Sequence, residues 1–495
     1  MLWEVDVHDR QNDTTAQDLV TAGNDLGFDI HSAHAANGWL IEGDLDFDEV
    51  RRIGTRLFTD SVTEVCRVAK VGEEELVSIP PGAEEAHNLI LHVLPKPGVT
   101  DPAAESAKEA MALLGVNATA VRSLKKYWVP AECMTLEQVA EIAWKRLASE
   151  AIHEVIIGPL TLSRLSGGSR WKLKREHVRL NGLNDSELEE LSRKQCLALT
   201  AKELHAVRDH FNSLGREPFE IELETIAQTW SEHCCHKTLG SPVDHIGPDG
   251  ESRYDNLLKE TVFASTETIR EQLGPDDWCV SVFSDNSGVV RFDGDHDICV
   301  KVETHNHPSA IEPYGGAATG LGGVIRDVLG TGHGAKPLAN LDVFCVAPLD
   351  TPAKAIPPGI IPPKKLLHGV VAGVRDYGNR MGIPTIAGAV AFHPGYLGNP
   401  LVFCGTVGLM PRDSADGRVE PGDLVVVAGG RTGRDGIHGA TFSSIELSSE
   451  SESQSGGSVQ IGHAIHEKTV TDFVLAASEE HLFHAITDCG AGGLS

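Results

Sequence analysis

One order of elements is spelled twice in the first 160 residues. A chain that repeats a unit at this length can pair the copies through their sheets. "WEVDVHD" reads as a strand, "TAQDLVTAGNDLGF" as an amphipathic helix and "HSAHAANGWLIEGDL" as two short strands. "DFDEVRRIGTRLF" then gives a helix and "VTEVCRVAK" a closing strand. The order returns in "NLILHVLPKPG", "DPAAESAKEAMALLGV", "TAVRSLKKYWV", "TLEQVAEIAWKRL" and "AIHEVIIGPL". Each copy reads β-α-β(β)-α-β, and in both the first helix ends on Leu-Gly, at Leu26-Gly27 and Leu114-Gly115, where glycine suits the left-handed turn after a helix. The copies occupy 1–84 and 85–160. Neither gathers catalytic residue types, so both read as structural or assembly modules.

A polar stretch, 161–216, follows as a helical linker: "SGGSRWKLKREHVR" is basic, and "DSELEELSRKQ" and "TAKELHAVRDHFNSLG" are helical. The basic cluster from Arg170 to Arg179 could meet phosphate, but a solvated face explains it more simply. "PFEIELETIAQTWSEHCCHKTLG" opens a new domain, placed at 217–350. Leu223, Ile226, Ala227 and Trp230 keep helical spacing, and His233 and Cys234 continue the stripe. A proline-rich loop, "DTPAKAIPPGIIPPKK", separates this domain from a second, 351–495. "SSESESQSGGS" is low in complexity and reads as a loop. A glycine run after an apolar strand, "HAITDCGAGGLS", is an awkward place for a domain to stop, so the chain is expected to be the front part of a longer polypeptide.

At 495 residues the chain is long enough for two to four domains. With 42 basic against 71 acidic residues its formal charge is −29, which argues against a protein built to coat nucleic acid or an anionic membrane surface. Charges in "MLWEVDVHDRQ" stand where a signal peptide needs its apolar core, and no apolar run approaches a membrane span. The ten cysteines form no metal-type C-x-x-C pair and read as buried free thiols in a reducing cytoplasm.

Chemistry concentrates in "KVETHNHPSAIEPYGGAATGLGGVIRD", residues 301–327. If "DICVKVETH" is a strand, Ile298, Val300 and Val302 face a core, while Lys301, Glu303 and His305 line the other side, roughly 6–7 Å apart. Lys301 offers a point charge for phosphate, Glu303 a hard oxygen for Mg²⁺, and His305 a group that titrates near neutrality. Glycines from Gly315 to Gly323 read as a turn that lets backbone N–H groups approach a ligand, with a helix N-terminus behind it. Arg326 and Asp327, one to two turns later, add a guanidinium and a second carboxylate. Singly each residue fits a solvated charged face; together they point to a site.

Rival readings fit less well. "THNH" suggests an HNH nuclease, against which stand the acidic charge and the lack of a basic groove. "HCCH" at 233–236 cannot aim four adjacent side chains at one tetrahedral zinc. Glycines 430, 433, 436 and 439 suggest a phosphate-approaching loop without the P-loop pattern, and an ordinary loop explains them equally well.

"TWSEHCCHKT", the 301–327 segment, "GGRTGRDGIHGATF", "VQIG" and "TDCGAGGLS" follow the order found in the phosphoribosylformylglycinamidine synthase family, which residues 218–495 resemble. "HVLPKPGVTDPAAESAKEAMALLGV" resembles that enzyme's small S subunit, here duplicated and fused at the front. The resemblance implies an α+β / α/β chain: tandem S-subunit-like modules, a helical linker, then subdomains like those of aminoimidazole ribonucleotide synthetase, incomplete at the C-terminus. It implies a cytoplasmic ligase of purine biosynthesis, using ATP and Mg²⁺ to convert formylglycinamide ribonucleotide to its amidine through a phosphorylated amide. Carried over by motif, His233 and His305 would be catalytic, His305 as proton acceptor, and His236 and Lys301 would contact ATP. Thr304, His305, Asn306, His307, Arg326 and Gln460 would bind substrate; Glu303, Asp327 and Asp488 would hold Mg²⁺. The family usually has tyrosine at the place of His236, and Asp-Pro after the glycine of "VQIG". No G-x-C-x-G elbow is present, so ammonia would come from a glutaminase subunit or domain outside these residues. Another ATP-dependent synthetase or kinase of the superfamily, or a non-catalytic assembly subunit, would share much of this pattern.

Overall fold

The computed structural model describes residues 1–10, 13–79, 88–132, 134–150, 152–165, 174–430, 436–444 and 459–490. Met1–Trp171 makes up most of one compact unit; Lys172–Arg431, Gly436–Ser451 and Ser458–Ser495 form the other.

In the first unit the repeat is physical. The first copy contains β1 (Leu2–Asp9), α1 (Thr14–Asp25), β2 (His34–Glu42), α2 (Phe47–Ile53) and β3 (Glu64–Lys70), then a short α3 (Glu74–Val77). The second runs β4 (Asn88–Pro95), α4 (Pro102–Leu113), β5 (Ala120–Pro130), α5 (Leu136–Ile142) and β6 (His153–Ile157). Both use the same local device. Asp13 caps α1 through Ala16 N at 2.8 Å and holds Ala35 N of the next strand at 2.9 Å. Asp101 does likewise with Ala104 N at 3.0 Å and Ser123 N at 2.7 Å. Both second helices open on a capping box and run into a wide π-type turn, Gly54–Phe58 and Ala143–Leu147. The two-strand reading of "HSAHAANGWLIEGDL" gives way to the single strand β2, in which Gly38 sits mid-strand opposite Leu124 rather than in a turn.

The six strands form one sheet, β3-β1-β2-β5-β4-β6, and the copies meet where β2 pairs antiparallel with β5, from His34 opposite Trp128 to Glu42 opposite Ala120. Trp3, Val5 and Val7 face the helices, in a core with Val50, Ile53 and Met111. The alternate positions of β1 carry Glu4, Asp6 and His8, all buried. Arg67, His92 and Lys126 join them, so this sheet does gather ionisable groups, from both copies, where the linear sequence showed no cluster.

In the second unit, α6 (Asp185–Lys194), α7 (Ala201–Ser213) and α8 (Glu220–Thr229) share one core of Leu188, Leu204, Val207, Phe211, Leu223 and Ala227. The expected linker is therefore packed, and its core continues across the boundary placed at 216. Charged residues outnumber the apolar stripe of α6 and α7, yet the stripe decides the packing. Ser231 stops the α8 stripe by capping a separate turn, α9 (Glu232–Cys235), and Trp230 is exposed.

A hairpin, β7 (Val243–Gly247) and β8 (Gly250–Tyr254), and α10 (Ala264–Leu273) precede the second large sheet. Its strands are β9 (Cys279–Ser281), β10 (Gly288–Arg291), β11 (His296–Thr304), β12 (Lys336–Val346), β13 (Thr385–Phe392) and β14 (Leu401–Pro411), in the order β13-β12-β14-β11-β10-β9. The break expected at 350 falls inside this sheet, because β13 pairs parallel with β12 and β14 runs antiparallel between β12 and β11. Helices α11 (Asn306–Ile311), α12 (Pro313–Leu329) and α13 (Pro363–Met381) belong to this fold, followed by α14 (Gly439–Phe442) and α15 (Ala464–Glu479). Leu321, Val324 and Ile325 of α12 and Val370, Val374 and Tyr377 of α13 pack on Phe344, Val402 and Cys404 of the sheet.

Two expectations about 301–327 are overturned. The strand is present, but its faces are inverted: Asp297 and Cys299 are buried, whereas Val300 and Val302 are 38% and 49% exposed. The helix layer lies on the side of Lys301, where Cys299 packs on Val328, and among the described residues no layer covers the valines. The glycine turn is helix. Gly315, Gly316, Gly320, Gly322 and Gly323 all lie within α12, so Arg326 and Asp327 stand in its last turns, far from its N-terminus. Gly316 and Gly320 serve close packing: a Cβ on Gly316 would lie 2.5 Å from Ser309 N, and one on Gly320 would lie 2.8 Å from His305 Cβ.

Among the described cysteines, Cys299, Cys345 and Cys404 are buried as expected, but Cys234, Cys235 and Cys489 are exposed. Among the described residues, no helix is long and apolar enough to cross a membrane.

Candidate active site

The end of β11 and the C-terminal half of α12 face one another, and that places the charged groups. Lys301 Nζ lies 3.0 Å from Asp327 Oδ2. One residue earlier on α12, Arg326 Nε lies 2.7 Å from Asp488 Oδ2. Burial works against the Lys301 charge, but Asp327, Glu303 and Asp488 together hold its pKa above the ordinary value. Burial and then Asp488 push Asp327 up to about 7. Burial is the larger cause, and the Lys301 ammonium offsets only part of it. Glu303 is exposed at the strand end, free to face a ligand.

His305 ends the strand as the residue before α11. Its Nδ1 meets the carbonyl of Gly316, which accepts only if Nδ1 carries the proton; Nε2 is then left with its lone pair. Burial holds its pKa below the ordinary value, so the ring is neutral at pH 7. His233, on α9, is near enough to act electrostatically on His305, and its backbone N–H donates to Ser444 Oγ at 3.2 Å. Asn306 Oδ1 accepts from Val402 N at 2.8 Å, which pins the turn after the strand. His307 packs 6.0 Å from the Phe442 ring, and its Nδ1 is buried without a partner. Thr304 is exposed.

Gln460 reaches α12 through its backbone: Thr319 Oγ1 donates to its carbonyl at 2.7 Å. His236 stands apart. It is exposed in the left-handed conformation that ends α9, at φ 50°, and has no hydrogen bond to the strand residues. The glycine loop is described at 430 and from 436; its centre at 433, the stretch 448–458, residues 166–173 of the basic segment and the last five residues lie outside the described residues.

Two residues here had no place in the sequence reading. Tyr377 on α13 donates its hydroxyl to Glu467 on α15. Tyr377 falls on the buried stripe of Val370, Val374 and Met381, and a phenol on such a stripe signals a polar partner. Glu467 gives no comparable signal, since an acid on a helix reads as solvated.

Residues 284–410 match the model of the AIR synthase related protein, N-terminal domain, and 420–495 that of the C-terminal domain. Residues 188–237 match the formylglycinamide ribonucleotide amidotransferase linker domain. The phosphoribosylformylglycinamidine synthase subunit PurL of Thermoplasma acidophilum is 40% identical over 320 residues, 64% of this chain and 38% of that protein. That of Thermococcus kodakarensis is 39% identical over 284 residues, 57% of this chain and 35% of that protein. Residues 188–495 are thus similar, motif by motif and domain by domain, to the phosphoribosylformylglycinamidine synthase subunits. The chain spans 38% of the length of the first curated relatives it matches. Among solved structures, T. maritima PurL complexed with FGAR is 32% identical, with a TM-score of 0.42 over 59% of this chain and 40% of that one. The linker match runs across 216, and the N-terminal-domain match across 350, the two places where the sheet and helix packing also continue.

Proposed function

We propose that this chain carries an ATP-dependent amide-to-amidine site, acting on formylglycinamide ribonucleotide within a larger purine-forming ligase. The observation that supports it most is the meeting of Lys301–Asp327 with Arg326–Asp488 beside a neutral, oriented His305. Phosphoryl transfer asks mainly for positioned cations and donors. In this reading the amide oxygen takes the γ-phosphoryl group and ADP leaves. Ammonia then adds to the activated carbon, and phosphate departs with the amide oxygen. His305 Nε2 takes the proton that the attacking nitrogen sheds, with His233 beside it. Lys301 holds ATP phosphate; Arg326, Gln460 and residues 304–307 hold the ribonucleotide. Glu303, Asp327 and Asp488 fit a divalent cation, because their negative charge exceeds its local compensation, and Mg²⁺ there would supply charge neutralisation to the phosphates. His236, exposed at the end of α9, is read as a further contact to ATP.

The uncovered Val300 and Val302 face agrees with a second repeat of the synthetase fold lying beyond the residues described. The first unit, with copies at 1–84 and 85–160, is read as paired S-subunit-like modules that dock a glutaminase chain. Deleting residues 1–160 should then abolish glutamine-dependent turnover and spare ammonia-dependent turnover; unchanged use of glutamine would remove the docking role.

The reaction itself is tested by ADP release with Mg-ATP, formylglycinamide ribonucleotide and saturating ammonium. Release that needs both co-substrates is expected. Release without the ribonucleotide would point to another kinase or synthetase of the superfamily, and nucleotide binding without turnover to a non-catalytic subunit.

A further inference from the structure

Two links fasten the segment carrying Gln460 to the helix carrying Arg326. At the first, Thr319 Oγ1 donates to the Gln460 carbonyl at 2.7 Å and accepts from Gly462 N at 3.1 Å. At the second, three residues along α12, Tyr377 donates to Glu467 Oε2. Gly322 makes room for it: a Cβ there would lie 2.6 Å from the Tyr377 hydroxyl oxygen and 3.1 Å from Glu467 Oε2. The other carboxylate oxygen, Glu467 Oε1, is shut off from solvent and has no hydrogen-bond partner. Burial, helped by Asp327 and Asp488, pushes the Glu467 carboxyl up to about 7, while the Tyr377 bond and then Arg326 favour its charged form.

A structural tie to Tyr377 needs only one neutral acceptor. A second carboxylate oxygen left buried and unpaired is costly and calls for another reason. Arg326, one turn along α12 from Gly322, supplies one through its charge rather than by direct contact. Its Nε is taken by Asp488, while its outer nitrogens have no hydrogen-bond partner among the described residues. A guanidinium must be held in orientation before its planar fork can grip an anion.

We propose that Glu467, tied at one oxygen by Tyr377, is a positioning residue for the ribonucleotide: it sets the Arg326 guanidinium beside Asp488 and keeps Gln460 seated on the same helix. The proposal rests on the functional reading above. It assigns Glu467 no contact with substrate and no part in proton transfer.

The test is calorimetric titration of the full chain with formylglycinamide ribonucleotide and, separately, with a Mg-bound non-hydrolysable ATP analogue. Glu467→Ala should weaken the ribonucleotide by about 10–100-fold, as loss of a residue that orients a ligand-binding side chain does. Its effect on the nucleotide should stay within about twofold, a split that general loosening of the fold would not give. Glu467→Gln preserves the shape and an acceptor for Tyr377 but removes the ionisable carboxyl, so, titrated at pH 8 where the carboxylate prevails, it too should lose ribonucleotide affinity while melting like the wild type. Tyr377→Phe should weaken the ribonucleotide in the same sense. Wild-type affinity in Glu467→Gln would overturn the role of the charge, and so the proposal. Parallel weakening of both ligands with a lowered Tm would also overturn it, in favour of plain packing. A wild-type chain that fails to bind the ribonucleotide would instead overturn the functional reading, and this inference with it.

Discussion

The ammonium of Lys126, in the second repeat, lies 2.7 Å from the Glu4 carboxylate of the first, and both side chains are 2% exposed. Asp6 Oδ2 is 2.9 Å from the same ammonium, and Arg67 stands 3.8 Å from Asp6. Removing the lysine leaves the buried Glu4 and Asp6 carboxyl groups with one distant cation. Lys126→Met should therefore destabilise the first unit by about 3–5 kcal/mol, and adding Glu4→Gln and Asp6→Asn should restore most of it. Amide exchange in β2 and β5 measures this: about 150- to 4,000-fold faster exchange in the single variant is expected. Unchanged protection would mean that the pair contributes nothing to holding the repeats together.

The same cluster sets a pH dependence. His8 Nε2 accepts from Arg67 Nε at 3.2 Å, so its ring is held neutral. Burial, then Arg67, lowers His8 to about 4; burial, then Lys126, lowers His92 to about 3. Between these values and the ordinary 6.5, the unfolded chain binds more protons, so stability rises with pH. Glu4 is pushed up to about 8 by burial and then Asp6, so between 4.5 and 8 the folded state binds the extra proton and stability falls as pH rises. Two histidines outweigh one glutamate below 6.5, and above it Glu4 acts alone. The first unit should be most stable near pH 6.5, by exchange protection measured from pH 5 to 8. A monotonic rise to pH 8 would contradict the Glu4 assignment.

Helix α12 distinguishes two kinds of glycine. A Cβ at Gly316 would strike backbone atoms of Pro308 and Ser309, which cannot move without shifting His305. Gly316→Ala should cost about 1–3 kcal/mol. Gly323 has nothing within 4 Å of the equivalent point, so Gly323→Ala should stabilise by about 0.5–1 kcal/mol. Melting both variants checks the contrast, and a destabilised Gly323→Ala would refute it.

His305→Ala should abolish turnover while leaving Mg-ATP binding largely intact, because Lys301, Glu303 and Asp327 stay in place. The readouts are ammonia-dependent ADP release and nucleotide titration. Near-normal turnover would remove the proton-acceptor role assigned to this ring.

Much of this molecule was legible in its residues, for reasons that differ by place. The repeat was visible because capping, Leu-Gly ends and strand alternation are local and recur in both copies. The grouping of Lys301 with Asp327 could be anticipated from motif order, since strand end and helix are adjacent in sequence. The burial of β11 was not, because Val300 and Val302 alternate like core residues and only the tertiary arrangement shows which face the helices take. The glycines of α12 misled for a related reason: low helix propensity was outweighed by the close approach of His305, Ser309 and Tyr377. Glu467 and Lys126 were invisible, since an acid or lysine read singly defaults to the surface, and their partners lie 90 and more than 100 residues away.

The strand order β3-β1-β2-β5-β4-β6 also bears on how the chain emerges from the ribosome. The first copy can assemble its three strands alone, but β2 is then an open edge until β5, ending at Pro130, has been made. Throughout that interval a nascent chain offers an unpaired strand to any neighbour on the same message. The second copy is thus, besides anything it later docks, the built-in cap on the first, and dimers joined through β2 are the product to look for when synthesis stalls between the two.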